Sequence, residues 1–304
     1  MEKRYYSANE FFKWKFGEKV YKLALAGGYT CPNRDGKAGT GGCIFCSGEG
    51  SGDFAEKRIG GDFNAQLIAA QNRLKNKNAG NKFIAYFQSF TATYASADYI
   101  TNLITPALKS GAICSLSIAT RPDCLGDYVI KILKKAAQIK PLFVELGLQT
   151  SNEKTAEKIN RCYKNEIYES AVKKLKDIGV NVITHIILGL PFETEEDMLA
   201  SVDYACRYTD GIKLQLLHVL KGTPLEKSYL NGEFETLSLE RYADILCKAV
   251  RRIPKNIVIH RLTGDAPKKD LSAPLWSADK KRVLNYINAE FEKRNVMQGE
   301  LAPQ

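Results

Sequence analysis

The chain has 304 residues, 44% of them hydrophobic, and a formal net charge of +10. That is material for one large α/β domain or two ordinary ones. Eight cysteines, sparse and unevenly spaced, exclude a secreted disulfide framework, and no window is apolar for long enough to span a bilayer. The start, Met1-Glu2-Lys3-Arg4-Tyr5-Tyr6, lacks the apolar stretch of a signal peptide, so a soluble cytoplasmic protein without a membrane partner is expected. The positive charge points to an acidic partner, nucleic acid first among them. Its clusters, such as Lys173-Lys174-Lys176, Arg251-Arg252-Lys255, Lys268-Lys269 and Lys280-Lys281-Arg282, are interspersed with acids and also fit a solvated surface.

In chain order, a short N-terminal segment (1–20) precedes a regular alternation of strands and helices. Strand-length apolar runs occur at Lys22–Leu25, Phe83–Phe87, Cys114–Ile118, Leu142–Leu146, Val182–Leu188 and Ile212–Leu217. Helical patterns fall near Phe63–Asn76, Ala97–Lys109, Asp127–Gln138, Glu166–Ile178 and Glu195–Thr209. Strands apolar on successive residues read as parallel strands buried on both faces, which gives a doubly wound sheet or an incompletely closed barrel over residues 21–220. The breakers Gly222, Pro224 and Gly232 mark a boundary. The extension 221–304 then carries a helix near Leu237–Ile253, a short strand Ile257–Ile259 and a helix near Ala278–Lys293.

Directly after the first strand comes Cys31-Pro32-Asn33-Arg34-Asp35-Gly36, then Gly41-Gly42-Cys43-Ile44-Phe45-Cys46. Three thiolates on one loop suit three corners of a four-iron cluster, and the iron left over is a place for a ligand. Half of a zinc knuckle and a thioredoxin-like redox pair are the competing readings of Cys-x-x-Cys. The loop sits at the carboxyl end of its strand, where α/β folds keep active sites, and the other strand ends also carry polar groups. They include Gln88 to Tyr94, Thr120 to Asp123, Glu145 to Thr150, His185 with Gly189, and Gln215 with His218. Of the remaining cysteines, Cys114, Cys206 and Cys247 read as buried apolar groups. Cys124 and Cys162 lie nearer the cavity, as packing residues, a catalytic thiol or ligands to a second cluster.

The cysteine triad, Gly147-Leu148-Gln149-Thr150 after the fourth strand and Ile187-Leu188-Gly189-Leu190-Pro191-Phe192-Glu193-Thr194 after the fifth resemble the radical S-adenosylmethionine (SAM) superfamily over about residues 20–220. Ile159-Asn160-Arg161 resembles the arginine segment of the coproporphyrinogen dehydrogenase branch. The long first spacing is similar to that of the Elongator catalytic-subunit branch. Cys31 to Gly36, combined with His260-Arg261-Leu262-Thr263-Gly264-Asp265, resembles the narrower YtqA/YhcC-type family across essentially the whole chain. Its MnmL members are associated with converting the 5-carboxymethylaminomethyl group of the tRNA wobble uridine to 5-aminomethyl.

The resemblance implies a partial (β/α)6 barrel in which Cys31, Cys43 and Cys46 bind a [4Fe–4S] cluster whose open iron is chelated by SAM. It implies reductive cleavage of SAM to a 5′-deoxyadenosyl radical, with electrons from a donor such as flavodoxin or ferredoxin. By family position Gln88, Ser89 and Thr91 meet the methionine amino group, while Gln149, Arg161 and His185 meet the ribose or carboxylate. Gly189 lets the backbone approach the adenine. For His185 a hydrogen-bonded core histidine is the competing reading, and for Tyr29 and Phe45, which bracket the loop, packing competes with shielding. Arg251, Arg252, Arg261, Lys268 and Lys269 are the candidate tRNA phosphate contacts. Two other functions stay open: radical chemistry on a small metabolite or tetrapyrrole, and a non-catalytic iron–sulfur or zinc protein that binds RNA.

Overall fold

The computed structural model describes residues 4–57, 62–74 and 80–302. Six parallel strands follow the sequence alternation: β1 (Tyr21–Ala26), β2 (Phe83–Gln88), β3 (Ile113–Thr120), β4 (Leu142–Gln149), β5 (Asn181–Leu188) and β6 (Gly211–Leu216). Each pairs with its sequence neighbours in the order β1-β2-β3-β4-β5-β6, and the sheet curls into a half-barrel. The helices between them are α2 (Phe63–Asn72), α3 (Ala97–Lys109), α4 (Asp127–Ile139), the short α5 (Glu153–Lys158) with α6 (Asn165–Asp177), and α7 (Glu195–Cys206). The last two residues of the helix expected over Phe63–Asn76 lie outside the described residues.

The extension adds to this sheet. After β7 (Val219–Leu220), α8 (Pro224–Leu230) and α9 (Leu239–Arg252), the expected short strand forms as β8 (Val258–Arg261) and pairs parallel with β6 as a seventh strand. Then β9 (Leu271–Ala273) pairs antiparallel with β7, and α10 (Lys280–Lys293) packs on α9. Residues 21–220 and 221–304 therefore share one sheet.

The N-terminal segment holds a helix the hydrophobic pattern did not disclose, α1 (Ala8–Phe16). Its signal was present as the capping box Ser7-Ala8-Asn9-Glu10: the Ser7 side chain accepts from the Glu10 amide while the Glu10 carboxylate returns to the Ser7 amide. Phe12 on this helix packs with Ile84, Phe143 and Ile183 from the inner face of the sheet, and its ring meets Phe143 edge-on at 5.7 Å. Phe143 opens β4, so α1 plugs the amino-terminal end of the half-barrel.

The expectation that strands are apolar on both faces holds in full for the outer one, and on the inner one only at the amino-terminal end where Ile84, Phe143 and Ile183 meet α1. Residues such as Leu23, Ala85, Leu116, Val144 and Leu214 pack outward under the helices in the main core. Alternate positions carry Lys22, Tyr86, Ser117, Glu145, His185 and Lys213, which hydrogen-bond or stack with one another. Because helices cover one side of a curled sheet, its concave side lines a lumen and can hold paired polar groups.

Candidate active site

The loop that leaves β1 crosses the mouth of the half-barrel and is fastened on the far side. Ile44 N donates to Ile159 O (3.2 Å), and Ile44 O accepts from Leu225 N (3.1 Å). Ile44 and Phe45 pack with Ile159, Leu190, Leu217 and Leu225 in a small apolar cluster separate from the main core, so Phe45 is a packing residue. Asn160, in the left-handed region at φ 57°, donates from its amide to Thr40 O (3.0 Å) and Gly42 O (2.7 Å). Asn33 is fully buried; its amide donates to Asn160 O and lies 3.6 Å from Cys43 Sγ, while its Oδ1 has no partner. The chain thus folds two asparagines around the cysteine loop.

Cys31, Cys43 and Cys46 are half-buried free thiols. The hydrogen bond from Cys43 pulls Cys46 down to about 7 against the effect of burial, with help from Ser51, Arg34 and Arg121. The same bond, then burial, pushes Cys43 up, and the charge on Cys31 adds to this. The three sulfurs therefore lie within electrostatic reach of one another. Cys162 is exposed, and its thiol donates to Asn160 Oδ1 (3.1 Å) beneath the loop. Burial and then Asp123 push the Cys124 thiol well up. Cys247 is buried as expected, whereas Cys114 and Cys206 are only half-buried, and Cys114 donates to Phe83 O (3.3 Å).

The strand ends around this loop are conformationally unusual. Ser89, Phe90 and Gln149 all have positive φ (82°, 46° and 64°), strain that a surrounding site must hold in place. Ser89 and Phe90 dock on the loop: Phe90 N donates to Gly50 O (2.8 Å), and a Cβ on Gly52 would fall 2.2 Å from Ser89 Cβ. Gln88 is half-buried at the end of β2, and Thr91 is fully buried with its hydroxyl lacking a partner. Gly189 needs its glycine for φ 91°, and Leu237 and Leu217 lie where a Cβ would point.

Two residues assigned to SAM by family position are committed elsewhere. Arg161 is buried and uses all three guanidinium nitrogens on protein. Nε donates to Tyr163 O (2.9 Å), Nη1 to Leu148 O (3.0 Å) and Thr150 O (2.7 Å), and Nη2 to Asn165 (2.9 Å) and Glu153 (3.4 Å). Five N–H bonds with five protein acceptors leave none for a ligand, so Arg161 positions the segment that bears Asn160. His185 points into the lumen, where Nε2 meets Glu145 at 2.8 Å and Nδ1 faces the Gln215 amide at 3.4 Å. That is the hydrogen-bonded core histidine. Burial, then the Lys213 charge, lowers it to about 4, so it is neutral at physiological pH.

Glu145 is the centre of this network and is fully buried. It accepts from Lys22, Lys213, His185 and Ser117 Oγ (2.6 Å). Burial alone would raise its carboxyl, but Lys213, Lys22 and His185 hold it well below the usual carboxylate range. The signal for this network was a Lys or Glu placed inside each of three apolar strand runs, because such residues are rarely buried unless paired.

The five candidate phosphate contacts divide. Arg251 and Arg252 end α9, which leads into the amino end of β8, opposite the cysteine loop; they pair with Glu300 (2.7 Å) and Asp203 (2.7 Å). Adjacency to His260-Arg261 in sequence hid this, because the chain enters β8 at one end and leaves at the other. Arg261 and the exposed Lys268 and Lys269 follow at the carboxyl end, on the side of the cysteine loop; Arg261 pairs with Asp265 (3.3 Å).

The sequence pattern of the Radical SAM superfamily matches residues 31–205, and that of the Radical_SAM C-terminal domain matches residues 209–293. The chain belongs to the radical SAM superfamily. It is 44% identical over 300 residues to Uncharacterized protein YtqA of Bacillus subtilis (strain 168), covering 98% of this chain and 92% of that protein, which agrees with the YtqA/YhcC-type resemblance. A shorter match, 29% identical over 157 residues, is to the tRNA uridine(34) acetyltransferase of Methanocaldococcus jannaschii, covering 50% of this chain and 28% of that one. The solved structure of archaeal Methanocaldococcus infernus Elp3 with an N-terminal deletion superposes with a TM-score of 0.69 at 18% identity, covering 92% of this chain and 64% of that chain. At that identity the likeness shows the fold alone.

Radical SAM enzymes use a [4Fe–4S] cluster and SAM, and they need a reductant. The residues present fit both groups. Three soft thiol donors sit on one loop, the donor type that an iron–sulfur cluster takes. The buried, unpartnered Thr91 hydroxyl at the end of β2 is a polar group set for a ligand. Among the described residues no helix is long and apolar enough to cross a membrane.

Proposed function

We propose that this radical SAM enzyme modifies tRNA in the cytoplasm, converting the 5-carboxymethylaminomethyl group of the wobble uridine, with or without 2-thiolation, to 5-aminomethyl. The observation that carries the reading is the pairing of a polar lumen holding Lys22 and Lys213 around a single Glu145 with a mouth crossed by the cysteine loop and rimmed by exposed Lys37, Lys158, Lys268 and Lys269. Such a rim attracts a polyanion, and such a lumen tolerates a carboxylate-bearing group. A relative that is named for action at tRNA uridine 34 supports the same substrate class.

In this reading Cys31, Cys43 and Cys46 hold three irons of the cluster and leave the fourth to SAM. Gln88, Ser89 and Thr91 receive the methionine amino group, Gln149 the ribose or carboxylate, and Gly189 the adenine. Bound there, the cluster supplies the electron that cleaves SAM, drawn from flavodoxin or ferredoxin. The chain's own part is positional: Asn33 and Asn160 fix the cysteine loop, Arg161 fixes Asn160, and the small apolar cluster seals one side from water. The test is anaerobic reconstitution with dithionite and SAM, followed by 5′-deoxyadenosine and nucleoside analysis, with and without tRNA bearing the precursor group. Product that rises with tRNA and vanishes in Cys43→Ala is expected. Turnover indifferent to tRNA would overturn the substrate.

A further inference from the structure

At the rim, four residues beyond the end of β5, Phe192 holds a conformation that costs a bulky residue dearly. Its φ is 72°, the left-handed region natural to glycine, and its side chain stands 55% exposed. A lone exposed phenylalanine needs no explanation. One held in this strained backbone state, with the exposed Lys158 ammonium 4.0 Å from its ring centroid, does. The two come from adjacent strand ends, Lys158 closing α5 after β4.

Both are tied to the cysteine loop. Lys158 adjoins Ile159, whose carbonyl accepts from Ile44, and lies two residues before Asn160. Phe192 lies two residues after Leu190, which packs in the cluster that holds Ile44 and Phe45. The pair is thus a flat ring and a cation, rigidly placed beside the mouth.

We propose that Phe192 and Lys158 form a stacking platform for an unpaired base of the RNA substrate, with Lys158 also meeting a phosphate. The inference rests on the RNA reading above. Single-stranded RNA is recognised by splayed bases stacked on aromatic rings beside cations, and the chain's net charge of +10 suits that occupant. An apolar protein partner gains nothing from a lysine held over the ring.

The test is binding of anaerobically reconstituted enzyme to tRNA bearing the precursor group, by fluorescence anisotropy across a salt series. Phe192→Gly removes the ring and relieves the strain, so its melting temperature should equal or exceed that of wild type while affinity falls about ten-fold. Phe192→Trp should bind as wild type does or tighter, and Lys158→Gln should lower the salt slope by about one. If wild type binds and Phe192→Gly binds within about two-fold of it, the platform is wrong and the RNA reading stands. If wild type itself does not bind, both fall together. Unchanged RNA affinity with slower reduction by flavodoxin, but not by dithionite, would assign this face to the electron donor and overturn the proposal.

Discussion

Replacing Glu145 by Gln keeps the shape of the most connected side chain in the lumen and removes its charge. Lys213, 6% exposed at its side chain, then loses its counter-ion; Lys22 and the Ser117 hydroxyl lose an ionic acceptor. Breaking a buried pair from one side costs about 3–5 kcal/mol; burial has already lowered the proton affinity of Lys213, so releasing its proton relieves part of that cost and the loss falls toward the low end of the range. With an unfolding entropy of about 2.1 cal/mol/K per residue over 304 residues, that range lowers the melting temperature by about 5–8 °C. Thermal unfolding of the reconstituted enzyme at pH 7.5 measures it. Lys213→Met combined with Glu145→Leu should recover the part of the loss due to Lys213, because two apolar groups need no partner, while Lys22, His185 and Ser117 still lack their acceptor. A Glu145→Gln midpoint within about 1 °C of wild type would refute the reasoning and mean that water, not the carboxylate, satisfies the lysines.

Arg161→Ala strands the buried carbonyls of Leu148 and Thr150 and frees the segment bearing Asn160. We expect a loss of about 3 kcal/mol or more and faster bleaching of the cluster's visible absorbance under chelator, with Arg161→Lys intermediate. Charge reversal at Lys268 and Lys269 should weaken tRNA binding and flatten its salt dependence, whereas reversal at Arg251 and Arg252, on the opposite end of the barrel, should leave affinity unchanged; equal losses from both pairs would contradict the division. Burial lowers His218 to about 4, with Nε2 unpartnered, so folding excludes a proton that the unfolded chain accepts near 6.5. Its contribution is present above pH 6.5 and is lost as pH falls toward 4. By denaturant titration, the stability gap between wild type and His218→Gln should shrink by about 1.5 kcal/mol from pH 8 to pH 5.5. A constant gap would show that His218 takes up a proton in the fold as readily as in the unfolded chain.

The local pattern of this chain fixed its alternation of elements, because each strand run and each amphipathic helix carries its own burial preference within a dozen residues. Ala97–Lys109 forms as read to the residue, and all six strands fall within three residues of their expected limits. The cysteine loop was legible for the same reason: its spacing is local, and its place after β1 follows from the strand it leaves. What only the tertiary structure decided is which distant groups meet. Curling the sheet made one face of apolar-looking strands a lumen, so Lys22, Glu145 and Lys213, from β1, β4 and β6, became partners. It spent the guanidinium of Arg161 on the backbone, drew His185 to Glu145, and put Arg252 and Arg261 at opposite ends of one strand connection. Sequence adjacency carries no information on these points, since hydrogen bonds and ion pairs depend on distances that exist only after the chain has closed on itself.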